Sequence, residues 1–152
     1  MLKVARLTDY AIMVMGQLAQ EESATARSAH YLSEKTGVPE PTVAKVLKLL
    51  SKGGLVISAR GAAGGYRLVK MVEQISLAEI ITAMDGPISM VACVDGHQGD
   101  CELWTTCPTK SGWDRVNSAI KAALEGVKLT EMTVPSCGRK HDFMKGLNAD
   151  SA

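Results

Sequence analysis

PTVAKVLKLLSKGGLVISARGAAGGYRLV, residues 41–69, decides how the rest of the chain is read. Val43, Val46, Leu47 and Leu50 recur at helical spacing, so an amphipathic helix opens at Pro41 or Thr42. Gly53-Gly54 ends it. Residues 55–69 are then two short β-branched runs around Gly61, Gly64 and Gly65, the pattern of a β-hairpin. Upstream, Ser28 is placed to cap a short helix running to about Lys35, with Gly37 as its stop. Val38-Pro39-Glu40-Pro41 is a tight turn between the two helices. Two short helices, a turn and a glycine-rich hairpin make a winged helix-turn-helix, whose second helix enters the major groove of DNA.

Charge points the same way. From Pro41 to Val72 there are six basic residues (Lys45, Lys48, Lys52, Arg60, Arg67, Lys70) and no acidic one. That is +6 against a whole-chain charge of +1, so the remainder carries −5. A basic block inside an acidic chain is the footprint of phosphate contact, with a solvated basic face as the competing reading. Arg60, at the hairpin tip, is expected to lie against the backbone or in a narrow minor groove. The expected DNA-facing set is Thr42, Lys45 and Lys48 on the helix, with Arg60, Gly64, Tyr66 and Arg67 on the wing.

Working outward, Leu7, Tyr10, Ala11, Val14 and Leu18 define a first amphipathic helix ending near Gln20, with Thr8 placed to cap it. Glu21–Arg27 reads as a loop. Ser76 is placed to cap a helix over SLAEIITAMDG, with Leu77, Ile80 and Ile81 apolar and Gly86-Pro87 as its stop. A long helix is predicted from about Pro108 to Val127. Its stripe of Trp113, Val116, Ile120, Ala123, Leu124 and Val127 needs a cover. That cover is the same helix of a second copy or the chain's own domain, and a two-fold dimer suits paired half-sites. The expected organisation is a winged helix-turn-helix over 1–88, a cysteine loop over 89–107, a dimerisation helix over 108–133 and a loose tail over 134–152. The fold class is mainly α with a small β-hairpin wing.

The loop CVDGHQGDCELWTTC, residues 93–107, is a C-x7-C-x5-C cluster holding three of the four cysteines. Thiolates are soft ligands for iron or zinc, and three from one short loop can hold a metal centre. Pro108 suits a first helical position, which would set Cys107 at a helix N-terminus where the thiolate is favoured. Ordinary half-buried or disulfide-bonded cysteines are the alternative. At 152 residues the chain is about one domain with room for a dimerisation arm. The first 22 residues lack an apolar run long enough for a signal peptide or membrane span, so a cytoplasmic protein is expected, where clustered cysteines bind metal more often than they pair. Gly-rich phosphate loops, Ser/His/Asp arrangements and paired-carboxylate signatures are absent from the sequence, which argues against an enzyme and against a small-molecule substrate.

Taken in order, RLTDYAIMVMGQLA, PTVAKVLKLLSKGGLV, SARGAAGGYRL, SLAEIITAMDGP, the Cys93/Cys101/Cys107 loop and the long helix ending in LTEM resemble the iron–sulfur transcription regulators typified by IscR and NsrR. Within that family the chain is most similar to regulators of the SUF iron–sulfur assembly operon, over residues 1–133. The resemblance implies a homodimer, a repressor of iron–sulfur assembly genes, binding double-stranded operator DNA under the control of a [2Fe-2S] or [4Fe-4S] cluster. It implies Cys93, Cys101 and Cys107 as ligands, Arg60 as a minor-groove arginine, and Thr42 and Lys45 facing bases and phosphates. Two departures stand out. The first cysteine gap is longer than in IscR, and Lys110 replaces the histidine ligand of IscR. Asp9, reaching over from the partner subunit as in NsrR-like members, is then the expected fourth ligand, with His97, Cys137 and His141 as rivals. A first-turn acid that only stabilises its own helix is the alternative for Asp9. A nitric oxide or redox sensor, or a zinc or thiol switch on the same fold, is the alternative function.

Overall fold

The computed structural model of the chain describes residues 3–20, 25–61, 64–91 and 106–133. Helix α1 (Arg6–Gln20) buries Ala11, Ile12, Val14, Met15 and Leu18. Helix α2 (Ala29–Thr36) is capped as its sequence demands: the Ser28 side chain accepts the Tyr31 N–H, and Gly37 closes it at φ 73°. Helix α3 (Glu40–Lys52) drives Val43, Val46, Leu47 and Leu50 into the core. It opens one or two residues before the predicted start. Pro41 is tolerated there because a first-turn residue has no intrahelical N–H partner to lose.

Strands β1 (Val56–Ala59) and β2 (Gly65–Leu68) form the wing, antiparallel, with Val56 opposite Leu68 and Ala59 opposite Gly65. The second edge of β2 is also paired. Arg27 N–H donates to the Tyr66 carbonyl at 2.9 Å, and Tyr66 N–H returns the bond to Arg27 at 2.8 Å. Gly65, at φ 153°, makes this possible, since a Cβ there would come within 2.5 Å of the Arg27 carbonyl. The wing is thereby stapled to the entry of α2.

After a 3-10 turn at Val72–Gln74 comes α4 (Leu77–Asp85), started by a full capping box between Ser76 and Glu79. Helices α5 (Lys110–Gly126) and α6 (Leu129–Met132) complete the described chain. Between them the backbone returns to the winged domain. Leu77 N–H donates to Val127 O, and Leu129 N–H donates to Ile75 O, each at 2.9 Å. Met15, Leu32, Leu47, Leu50, Ile75, Ile80 and Leu129 are fully buried together, so α6 seals the same core as α1 to α4. No helix among the described residues is long and apolar enough to cross a membrane.

Several local expectations are corrected. Thr8 does not cap α1; it lies within the helix, fully buried, and donates to Asp85 Oδ2 at 2.7 Å, tying α1 to the end of α4. The buried face of α4 is Ala78, Ile80 and Met84, whereas Leu77 and Ile81 are half-buried. Pro108 falls in a turn, and α5 begins only at Lys110. The predicted helix over 108–133 is two helices, separated where Lys128 pairs with Ser76. Hydrophobic periodicity places the end of this helix at Val127, its C-cap; the bridge at Lys128 and the short helix beyond it are what the stripe does not show.

Leu129→Ala should therefore lower stability by about 2–5 kcal/mol, the cost of emptying a closed aliphatic site. Chemical denaturation measures it. A loss under about 1 kcal/mol would mean that α6 does not close the core.

Candidate nucleic-acid interface and metal loop

The burial of one face of α3 dictates the other. With Val43, Val46, Leu47 and Leu50 inward, Lys45, Lys48 and Lys52 stand exposed on the outer side. Arg60 is exposed at the end of β1, and Arg67 is exposed on the outer side of β2, beside Leu18 and Ala19 at the end of α1. Lys70 departs from the group: its ammonium is engaged by Glu79. Among the described residues, none of the other five cations of the block takes part in an ion pair. Burial works to raise the Glu79 pKa, but the hydrogen bond from Lys70, the Ser76 N–H and the Lys70 charge outweigh it and hold it below the usual carboxylate value.

The remaining residues expected to face DNA divide by burial. Thr42 is half-buried on the shoulder of α3. Tyr66 is half-buried and packs against the core. Gly64 is set by the turn, since a Cβ would meet the carbonyl oxygens of Ala59 and Gly61 at 2.7 Å. Pro41 and Ala44, which sequence reasoning passed over, are exposed on the outer side of α3. Their apolar character hid them; only the burial of the opposite stripe shows that they face outward.

At the start of α3 lies a small charge cluster. His30 Nδ1 is 3.0 Å from Glu40 Oε2, and its Nε2 is 3.5 Å from Glu34 Oε1. The Glu40 hydrogen bond, then the charges of Glu34 and Glu40, raise the His30 pKa above its ordinary value. The contact joins α2 to the first residue of α3.

The cysteine loop is described at its two stems. On one side, Met90 N–H donates to Asn117 Oδ1 on α5 at 3.2 Å. On the other, Cys107 lies in the turn leading into α5, half-exposed, its Sγ 3.3 Å from Thr109 Oγ1. The Thr109 hydroxyl and N–H lower the Cys107 pKa most, burial opposes them, and the Lys110 N–H and charge add smaller lowering effects. Thr109, with a smaller contribution from Lys110, thus favours the thiolate at Cys107. A half-exposed thiol held toward its anion fits a soft metal such as iron. Cys93, Cys101, His97, Cys137 and His141 lie outside the described residues. Asp9 is exposed in the first turn of α1 and lines a cleft of about 930 Å³ with Arg6, Leu77, Asp85 and Met132. Among the described residues, no group of three His, Cys, Asp or Glu side chains could hold a metal.

Helix α5 buries no side chain, and Trp113 and Val116 are 39% and 43% exposed. The predicted stripe is therefore open toward solvent at that end, while Ile120, Leu124 and Val127 are half-buried.

Residues 4–135 match the Rrf2 family, described as an iron-dependent transcriptional regulator. The chain is 34% identical over 103 residues to the HTH-type transcriptional regulator IscR of Aliivibrio salmonicida, spanning 68% of this chain and 60% of that protein. It is 31% identical over 123 residues to IscR of Vibrio vulnificus, spanning 81% of this chain and 72% of that one. Among solved structures it is similar to CymR, the global cysteine regulator of B. subtilis, with a TM-score of 0.66 and 28% identity over 88% of this chain and 97% of that one. It is also similar to T. potens IscR, with a TM-score of 0.64 and 28% identity over 94% of this chain and 96% of that one.

The His30 cluster makes stability pH-dependent in a definite direction. A raised folded-state pKa stabilises fully below the unfolded value, near 6.5, and the benefit is lost as pH rises through the folded value. The stability advantage of the parent over His30→Gln should shrink between about pH 6 and 8 in denaturation midpoints. An advantage that grows with pH would contradict the placement of His30 between two carboxylates.

Proposed function

Because this chain belongs to the Rrf2 family of transcriptional regulators, we propose that it is a homodimeric repressor of iron–sulfur cluster assembly genes, acting in the cytoplasm, with operator affinity set by an iron–sulfur cluster. The observation that carries the DNA half of this reading is the unpaired cationic face of α3 and the wing. Lys45 contacts bases and phosphates and Lys48 contacts phosphates from α3, and Arg60 reaches the minor groove from the wing tip. Thr42, Gly64, Tyr66 and Arg67 shape and support that surface.

Cys93, Cys101 and Cys107 hold the cluster, and Asp9 of a second copy supplies a carboxylate as the fourth ligand. Bound there, the cluster provides a link that oxidant, nitric oxide or iron–sulfur shortage can break. The protein's part is mechanical. Cys107 presents its thiolate beside Thr109 at the head of α5, and both loop stems are fixed on that helix through Thr109 and Asn117. Pulling the loop together fixes α5, whose Trp113 and Val116 face supports pairing with a second copy. Two wings must meet half-sites about 34–36 Å apart, so a modest rotation between subunits removes much of the affinity. A full switch from 99:1 to 1:99 needs about 5.5 kcal/mol of coupling.

A thiol-responsive regulator of the same fold, with zinc or without metal, is the second reading. It is favoured by the similarity to the cysteine regulator CymR and by the lowered Cys107 pKa. Iron content separates the two.

In protein prepared without air, Cys93→Ala, Cys101→Ala and Cys107→Ala should each abolish the visible iron–sulfur absorbance. A full-strength chromophore in any one removes that cysteine from the ligand set, and a colourless, iron-free parent protein favours the thiol switch. Arg60→Ala should weaken operator binding by about 1–3 kcal/mol, and unchanged affinity in a gel-shift titration would take the wing tip off the DNA. Lys48→Ala should weaken binding to all duplexes alike and reduce the salt slope by about 1.

A further inference from the structure

The outward face of α3 is not uniformly charged. Pro41, Ala44, Lys45, Lys48, Ser51 and Lys52 are exposed on it. At ~100° per residue, Pro41, Lys45, Lys48 and Lys52 fall on one line opposite the buried stripe, with Ala44 beside it. The lysines occupy the middle and the C-terminal end. The N-terminal end carries a pyrrolidine ring and a methyl group. Glu40, the acid at that end, has its carboxylate engaged by His30 at 3.0 Å.

In a helix-turn-helix, the N-terminal residues of the second helix address base edges, while residues further along approach the backbone. Neither Pro41 nor Ala44 has a side-chain hydrogen-bonding group. The apolar feature on the major-groove edge of the base pairs is the C5-methyl of thymine. We infer that Pro41 and Ala44 form an apolar patch that reads thymine methyl groups, with Lys48 and Lys52 holding phosphates further along the same helix. Thr42, half-buried on the shoulder, supports the helix from the side. This rests on the DNA-binding reading above and adds a specificity that charge alone cannot supply.

The test uses the full-length protein and duplexes it recovers from a randomised pool. Each thymine of a recovered duplex is replaced in turn by deoxyuridine, which removes the methyl and nothing else. Affinity should fall about three- to fourfold at one or two positions per half-site, the worth of one buried methyl. Ala44→Gly should erase the thymine-over-uracil ratio at one such position, and the Pro41→Ser/Ala44→Gly double variant should erase it at all of them. The ratio is taken within a single protein, so any loss of helix stability cancels. Ala44→Gln should shift the selected base there toward adenine. Unchanged affinity on every uracil duplex overturns the inference, as does a ratio that survives in the double variant. Salt-sensitive binding with no sequence preference overturns it while leaving the DNA-binding reading intact. No binding to any duplex overturns both.

Discussion

Two backbone hydrogen bonds, Leu77 N–H to Val127 O and Leu129 N–H to Ile75 O, hold this structure in one piece. They form around Ser76, which is buried and has a second task. Its hydroxyl caps α4 while Glu79 reaches back to its N–H. Lys128, opposite it, starts α6 with its N–H donating to Glu131 Oε1 at 2.9 Å, while its ammonium donates to the Glu125 carbonyl. Two helix starts therefore face each other across one bridge, and their N–H groups are satisfied locally. Without that bridge α5 would keep its packing on α4 and the Met90–Asn117 hydrogen bond. With it, Leu129 drops into the aliphatic core, and whatever moves the head of α5 acts on a body continuous with α1, α3 and α4.

The cationic surface follows from the same core. α3 is held by four buried aliphatic residues, so its rotation about its own axis is fixed and its lysines have one side on which to emerge. The wing is fixed separately, through the exchange of hydrogen bonds between Arg27 and Tyr66 that Gly65 permits. Helix and wing thus present charge from two elements whose relative placement depends on glycine geometry and aliphatic packing. Lys70, equivalent to the others in sequence, is diverted to Glu79 because α4 runs close to it. Proximity in the fold distinguishes a structural cation from one available to a partner.

The described ends of the cysteine loop both lie against α5 or its cap. Asn117 and Thr109 receive its two ends on a helix whose apolar face remains partly open. Thr109 and, to a smaller extent, Lys110 lower the pKa of the Cys107 thiol without either being a soft ligand. Lys110 adds its N–H and its charge to the groups that lower the Cys107 pKa.

The sequence by itself determined the helix-turn-helix and the wing. Their signals are local: Ser28 and Ser76 as caps, Gly37 as a stop, an i, i+3, i+4 stripe over Val43–Leu50, and glycines at the hairpin turn. Each can be satisfied within a few residues, so periodicity and capping chemistry suffice to read it. The basic block was legible for the same reason, as was the cysteine spacing. Only the tertiary structure decided that Thr8 binds Asp85 rather than capping, that Lys128 pairs with Ser76 so that Leu129 enters the core, and that Lys70 is engaged. These depend on partners 9 to 77 residues away, or on which face another element covers. A one-dimensional pattern gives a residue's neighbours along the chain; hydrogen bonds and burial are settled by its neighbours in space.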